Sequence, residues 1–135
     1  MAEKLVTPTV QRLGRRVFIF TWSLNSTDSG AAVEVADFPD KTLHVFGSDF
    51  DSGTMTLKGS NDPRAAVDRA AGTLYTSKTA DWQSLVDPQG NAIAKAAAAI
   101  EAVLEDPQYI SPVMSGGGAS TSKFITVVLL CRGGI

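Results

Sequence analysis

The chain has one cysteine and one histidine among its 135 residues, and these two shortages exclude most side-chain chemistry. A lone Cys131 forms no intramolecular disulfide and cannot build a zinc site. That cysteine usage fits a protein made and kept in a reducing cytoplasm. The single His44 falls in mid-strand, on the polar face of "TLHVF", and no G-x-S-x-G is present. Neither a Ser-His-Asp nor a Cys-His arrangement is legible. Long apolar runs are also missing: "VFIFTW" and "FITVVLLC" are far shorter than the ~20 residues a membrane helix needs. The opening "MAEKLVTPTV" lacks the basic-then-apolar order of a signal peptide. The net charge is only −2, so nothing draws the chain to nucleic acid or to an anionic membrane.

What is present is a folded composition, 44% hydrophobic and 19% charged, of a length that suits one domain. The chain reads as short strands separated by turns. In "RVFIFTWSL", Phe18, Phe20, Trp22 and Leu24 alternate with Val17, Ile19, Thr21 and Ser23. That period of two places the even positions in a core. Val33 and Val35 flank Glu34 in the same way. Leu43 and Val45 oppose Thr42, His44 and Phe46, while Met55 and Leu57 oppose Thr54, Thr56 and Lys58. "NSTDSG", "FPDK" and "GSDFDSG" supply the turns. Strands spaced about ten residues apart predict an antiparallel sandwich or barrel.

The middle reads differently. Asp62-Pro63 pairs a capping carboxylate with a proline suited to a first helical turn, and Gly72 can end the helix. A short surface helix is predicted over 62–72. A strand returns around Trp82 to Val86, closed by a Pro-Gln-Gly turn. Residues 92–105 fit either a helical stripe of Ile93, Ala97, Ile100 and Leu104, or a short strand followed by a helical turn. "YISPVM" reads as a strand that Pro112 confines to an edge or a bulge. "KFITVVLLCR" is apolar on both faces, so its second face calls for a cover, either the helical segment or another subunit.

Four features invite a chemical reading. Cys131 lies in an apolar strand and reads as a small hydrophobe. Asp49 and Asp51 lack the further ligands of a calcium loop and read as a solvated hairpin loop. "SGGGAS" precedes a strand and has no Lys-Ser/Thr ending, so it does not read as a phosphate cradle. Arg12, Arg15 and Arg16 precede the first long strand and read as a solvated strand entrance or as forks for carboxylates on a neighbouring protein. No cofactor or metal is called for, and no enzyme is expected.

Three stretches are specific in combination: "LKGSND", "WQSLVDPQGNA", and "YISPVMSGGG" running on to "FITVVLLCR". Together, from Thr54 to Arg132, they resemble a group of small structural proteins of tailed bacteriophages. The resemblance implies a mainly β fold, a jelly-roll-like antiparallel β-sandwich with one or two short helices. It implies a head decoration (cement) protein that binds the major capsid protein as a trimer on the outer capsid surface of the virion. Gly-Ser-Asn-Asp followed by Trp is also similar to discoidin-type sandwiches, which makes glycans an alternative partner; a tail or head-to-tail connecting component is another. Here Pro63 replaces the turn glycine, about eighteen residues intervene before Asp81 and Trp82, and Ser111 stands where arginine is usual. The expected organisation is an N-terminal arm over 1–15 and one sandwich domain over 16–135. The expected contacts are Arg12, Arg15, Arg16, Val17 and Ile19, with Pro63, Arg64, Arg69 and Tyr75 on the inserted segment. Removing Met1 to Leu13 is expected to weaken capsid binding and leave the fold intact.

Overall fold

The computed structural model describes residues 4–61, 82–118, 120 and 122–133. Their regular elements are strands β1 (Lys4–Val6), β2 (Thr9–Gly14), β3 (Val17–Leu24), β4 (Asp28–Gly30), β5 (Val33–Glu34) and β6 (Asp40–Phe46). These continue with β7 (Thr54–Ser60), β8 (Gln83–Ser84), β9 (Ala94–Lys95), β10 (Ala99–Ala102), β11 (Tyr109–Ser115) and β12 (Ile125–Arg132). No helix occurs among the described residues, and the helix predicted over 62–72 lies outside them. Five strands form one sheet in the order β10-β6-β12-β3-β2. Seven form the other, β1-β4-β11-β7-β8, with β5 added on β11 and β9 on β7. The architecture is a β-sandwich.

Period-two alternation builds it. Phe20, Trp22 and Leu24 of β3, Leu43 and Val45 of β6, and alternate residues of β12 turn inward. They meet Met55 and Leu57 of β7, Ile110 and Met114 of β11, and Val33 and Val35 in one apolar cluster. Burying such side chains, at about 2 kcal/mol each, is the main stabilising term. Gly30 is required by close packing: a Cβ there would lie 2.6 Å from Pro112 and 2.7 Å from the Trp22 ring. That approach lets Trp22 Nε1 donate to the Ala31 carbonyl at 3.1 Å.

Several elements differ from expectation. Residues 4–14, expected as an arm, form β1, which runs parallel to β4, and β2, which pairs antiparallel with β3. Pro112 sits in the middle of its sheet rather than at an edge, since β11 pairs β7 along its whole length and β5 and β4 on the other side. Its partner Leu57 donates to the Ile93 carbonyl and accepts from the Leu85 N–H, so the Leu57 backbone points away from β11. The missing proline donor therefore faces the break between β5 and β4, where no ladder bond is asked of it. Over 92–105 the chain is extended. Ile93 is buried whereas Ile100 and Leu104 are exposed, so they share no helical face. Pairing with β6 overrides the low strand propensity of the alanines in β10.

One inward position of β6 is charged. Lys41 is 2% exposed, and its Nζ donates to the Phe38 carbonyl at 2.8 Å and to Asp106 Oδ1. Asp106 belongs to the 103–107 segment that carries the chain from β10 to β11. The same segment is tied by Val103 N–H to the Lys41 carbonyl and by Val86 N–H to Glu105 Oε1. A buried cation without its carboxylate is costly, whereas Asp106 is half exposed and water can solvate it alone. Asp106→Ala is therefore expected to lower unfolding stability by about 2 kcal/mol, and Lys41→Met by less than about 1 kcal/mol. Urea titration of both variants measures the difference. Equal losses would show that the pair does not hold the segment.

Candidate functional site

Three parts of the surface gather chemically capable side chains. The first is the open end of the five-stranded sheet. Gly14 and Val17 close a hairpin whose turn residues are Arg15 and Arg16, and a bulge at Leu13 adjusts the register between Arg12 and Gly14. Arg12 folds back on this turn. Its Nε donates to the Gly14 carbonyl at 2.9 Å and its Nη2 to the Arg15 carbonyl at 3.1 Å, and the guanidinium lies 5.8 Å from the centre of the Phe18 ring. Phe18 meets Phe38 edge to face at 5.3 Å. Arg15, Arg16, Phe18, Asp37, Phe38 and Gly133 line a cleft of about 350 Å³. The exposed Arg15 guanidinium at this cleft, and the Arg12 donors not spent on the turn, can pair with a carboxylate.

The second part is the outer face of the same sheet. Val17, Ile19, Val128 and Leu130 are half-buried there, beside exposed His44 and Phe46. The His44 and Phe46 rings are 4.7 Å apart. Register places His44 opposite Ile100, which is 65% exposed. Period-two reading of β6 already assigned His44 and Phe46 to this face. Ile100 was hidden by its fit to a helical stripe.

The third part joins three loops. The Asp51 carboxylate accepts from Ser26 Oγ and from the Ser120 N–H, both at 2.8 Å. Asp49 accepts from the Asp51 N–H at 2.8 Å, and Lys123 lies 3.1 Å from Asp49 and 3.8 Å from Asp51. Asp51 and Ser52 have positive φ, and Gly117 packs so closely that a Cβ would come within 2.2 Å of the Ser26 side chain. The Ser120 N–H, then the Ser26 hydroxyl, hold the Asp51 carboxyl below its usual range, and Lys123 adds to the effect. The Asp51 N–H and then Lys123 do the same for Asp49. The cluster is a latch between loops, and so differs from the solvated hairpin loop that the sequence suggested. Among the described residues, no group of three or more His, Cys, Asp or Glu could hold a metal ion.

Among the expected contact residues, Arg12, Arg15 and Arg16 come together around Phe18. Val17 and Ile19 lie on the outer face beside them. Pro63, Arg64, Arg69 and Tyr75 lie outside the described residues. A further cleft, of about 430 Å³, is lined by Gly59, Asn61, Gln83, Glu105, Asp106 and Pro107. Trp22 and Trp82 are both buried, so neither indole offers a face for stacking on a sugar. Cys131 is fully buried, and desolvation pushes its thiol up to about 12, which leaves little thiolate at neutral pH.

No protein-family model matches the chain, and no curated protein matches it. Among solved structures, a cupin domain from Bordetella pertussis Tohama I is similar over 98% of this chain and 99% of that one, at 13% identity and a TM-score of 0.34. A likeness that distant says nothing of what this chain binds.

The latch is expected to respond to acid. Its carboxyls have depressed folded values, so their contribution is fully present above about pH 4 and lost as pH falls through those values. Hydrogen exchange at the Ser120 amide should therefore speed up on acidification beyond its intrinsic pH dependence. In Asp51→Ala, exchange should be fast at neutral pH and lose that extra acid dependence. An unchanged Ser120 rate in the variant would overturn the assignment.

Proposed function

We propose that this chain is a non-enzymatic structural protein of a tailed-phage virion, a decoration protein that binds the outside of the head and clamps neighbouring capsid subunits. The sequence resemblance from Thr54 to Arg132 motivates the reading. The observation that carries it is the outer face of the five-stranded sheet, where half-buried Ile19, Val128 and Leu130 adjoin exposed Phe46 and Ile100. An apolar face of this kind is suited to burial against another protein. Many copies, each adding a modest contact to a lattice, stabilise that lattice by mass action and need no catalyst. The trimer is what the sequence resemblance implies; as one of the closed cyclic assemblies it would present the same face several times over.

Purified protein mixed with empty heads should co-sediment with them, appear as surface knobs in electron micrographs and raise the temperature at which the heads break. Light scattering should give a trimer mass. Ile100→Lys should weaken head binding about tenfold with an unchanged melting temperature, because a lysine ammonium would have to be desolvated in the contact. A monomer that ignores heads and binds a glycan array would overturn the proposal.

A further inference from the structure

The hydrogen-bonding edge of β2 is open. Among the described residues β2 pairs only with β3, and all six of its residues are exposed. Its backbone directions follow from one bond and the register. Gly133 N–H donates to the Arg16 carbonyl at 2.7 Å, so the Arg16 backbone faces β12. Alternation then turns the backbones of Phe18 and Phe20 toward β12, and those of Val17, Ile19 and Thr21 toward β2. Gln11 and Thr9, opposite Ile19 and Thr21, spend their N–H and C=O groups on β3. Val10 and Arg12, opposite Phe20 and Phe18, hold theirs outward at the spacing that an added strand uses.

Edge strands are usually guarded by a charge, a bulge or a cover. The bulge here lies at Leu13, beyond Val10 and Arg12, and the Arg12 guanidinium is drawn back onto the turn rather than across the edge. Charge selects the occupant. Two of the five Arg12 N–H donors are used within the turn, and the Arg15 side chain, in the same exposed hairpin, has no hydrogen bond or ion pair among the described residues. A second copy of β2 would set Arg12 against another basic hairpin. An extended segment bearing carboxylates would satisfy both arginines and lay an apolar residue on Val10, which is 59% exposed.

We propose that β2 accepts an extended, carboxylate-bearing segment of a partner protein as an added strand, held by the outward N–H and C=O groups of Val10 and Arg12 and by the guanidinium groups of Arg12 and Arg15. This surface is separate from the apolar sheet face on which head binding was argued, and either can fail without the other.

The test uses the isotope-labelled full chain and a short capped peptide that alternates threonine with valine or glutamate. Binding should shift the β2 amide resonances and slow hydrogen exchange at Val10 and Arg12, while Thr9 and Gln11, already bonded to β3, change little. Arg15→Glu should weaken binding about tenfold with an unchanged melting temperature. The same peptide with alternate backbone nitrogens methylated keeps its charge, loses its ladder donors, and should fail to protect Val10 and Arg12. A lysine-for-glutamate peptide should not bind. The proposal is overturned by equal binding of the methylated peptide, by no effect of Arg15→Glu, or by shifts confined to the outer face around Phe46 and Ile100.

Discussion

The sandwich depends on the double ladder of β12. Its eight residues pair with β3 on one side, and its last seven pair with β6 on the other. Ile125, Val127, Leu129 and Cys131 are driven inward, and Thr126, Val128 and Leu130 outward. Because side chains have a period of two, slipping this register by one residue would exchange the two faces and expose the core. Burial of the inner set therefore fixes the registers of β12 with β3 and with β6. It also sets Gly133 opposite Arg16, from which the backbone directions along β3 and β2 follow. The chemistry of the open edge is thus set, two strands away, by the packing of Leu129 and Cys131.

Where the sequence was legible, alternation was strong and one face was dry. Phe20, Trp22 and Leu24, Leu43 and Val45, and Met55 and Leu57 were each read to the face they occupy. The apolar outer positions of β12 were expected to be covered by a helical segment or another subunit; Val128 and Leu130 are half-buried within the sheet, and among the described residues no helix lies over them. What was not legible depends on neighbours rather than on local pattern. "TVQRLG" has no clean alternation because β2 is wet on both faces. Pro112 is tolerated in mid-sheet by a break in a strand distant in sequence. Lys41 looked like part of a turn, since nothing in "FPDK" announces that Asp106 will meet it. Of the candidate site, the arginines were identifiable by type, but their grouping around Phe18 and Phe38 arises from folding.

Charge is used sparingly and in two ways. At Lys41 it lies inside, where one carboxylate and one carbonyl compensate a cation lodged among apolar residues, and the segment joining the sheets is held as a result. At Asp51 it lies near the surface, where a carboxylate collects donors from two other loops and stabilises backbone angles that its own residue disfavours. At the open end charge is held differently: Arg12 spends two donors on the carbonyls of its own turn, and the exposed Arg15 side chain has no hydrogen bond or ion pair among the described residues. Those donors remain usable outside the chain in a way that Lys41 and Asp51 are not.

The central place of β12 also orders events in time. Until residues 125–132 have been synthesised, the five-stranded sheet consists of two unconnected halves, β2 with β3 and β6 with β10. Each half exposes a long unpaired edge and an apolar face. Thr21 and His44 cannot share a sheet before Val128 comes between them. Closure therefore waits on a contact of large sequence separation, which slows folding and leaves the nascent chain adhesive for most of its synthesis. Temperature and crowding during production bear most heavily on that interval, before any mature surface exists.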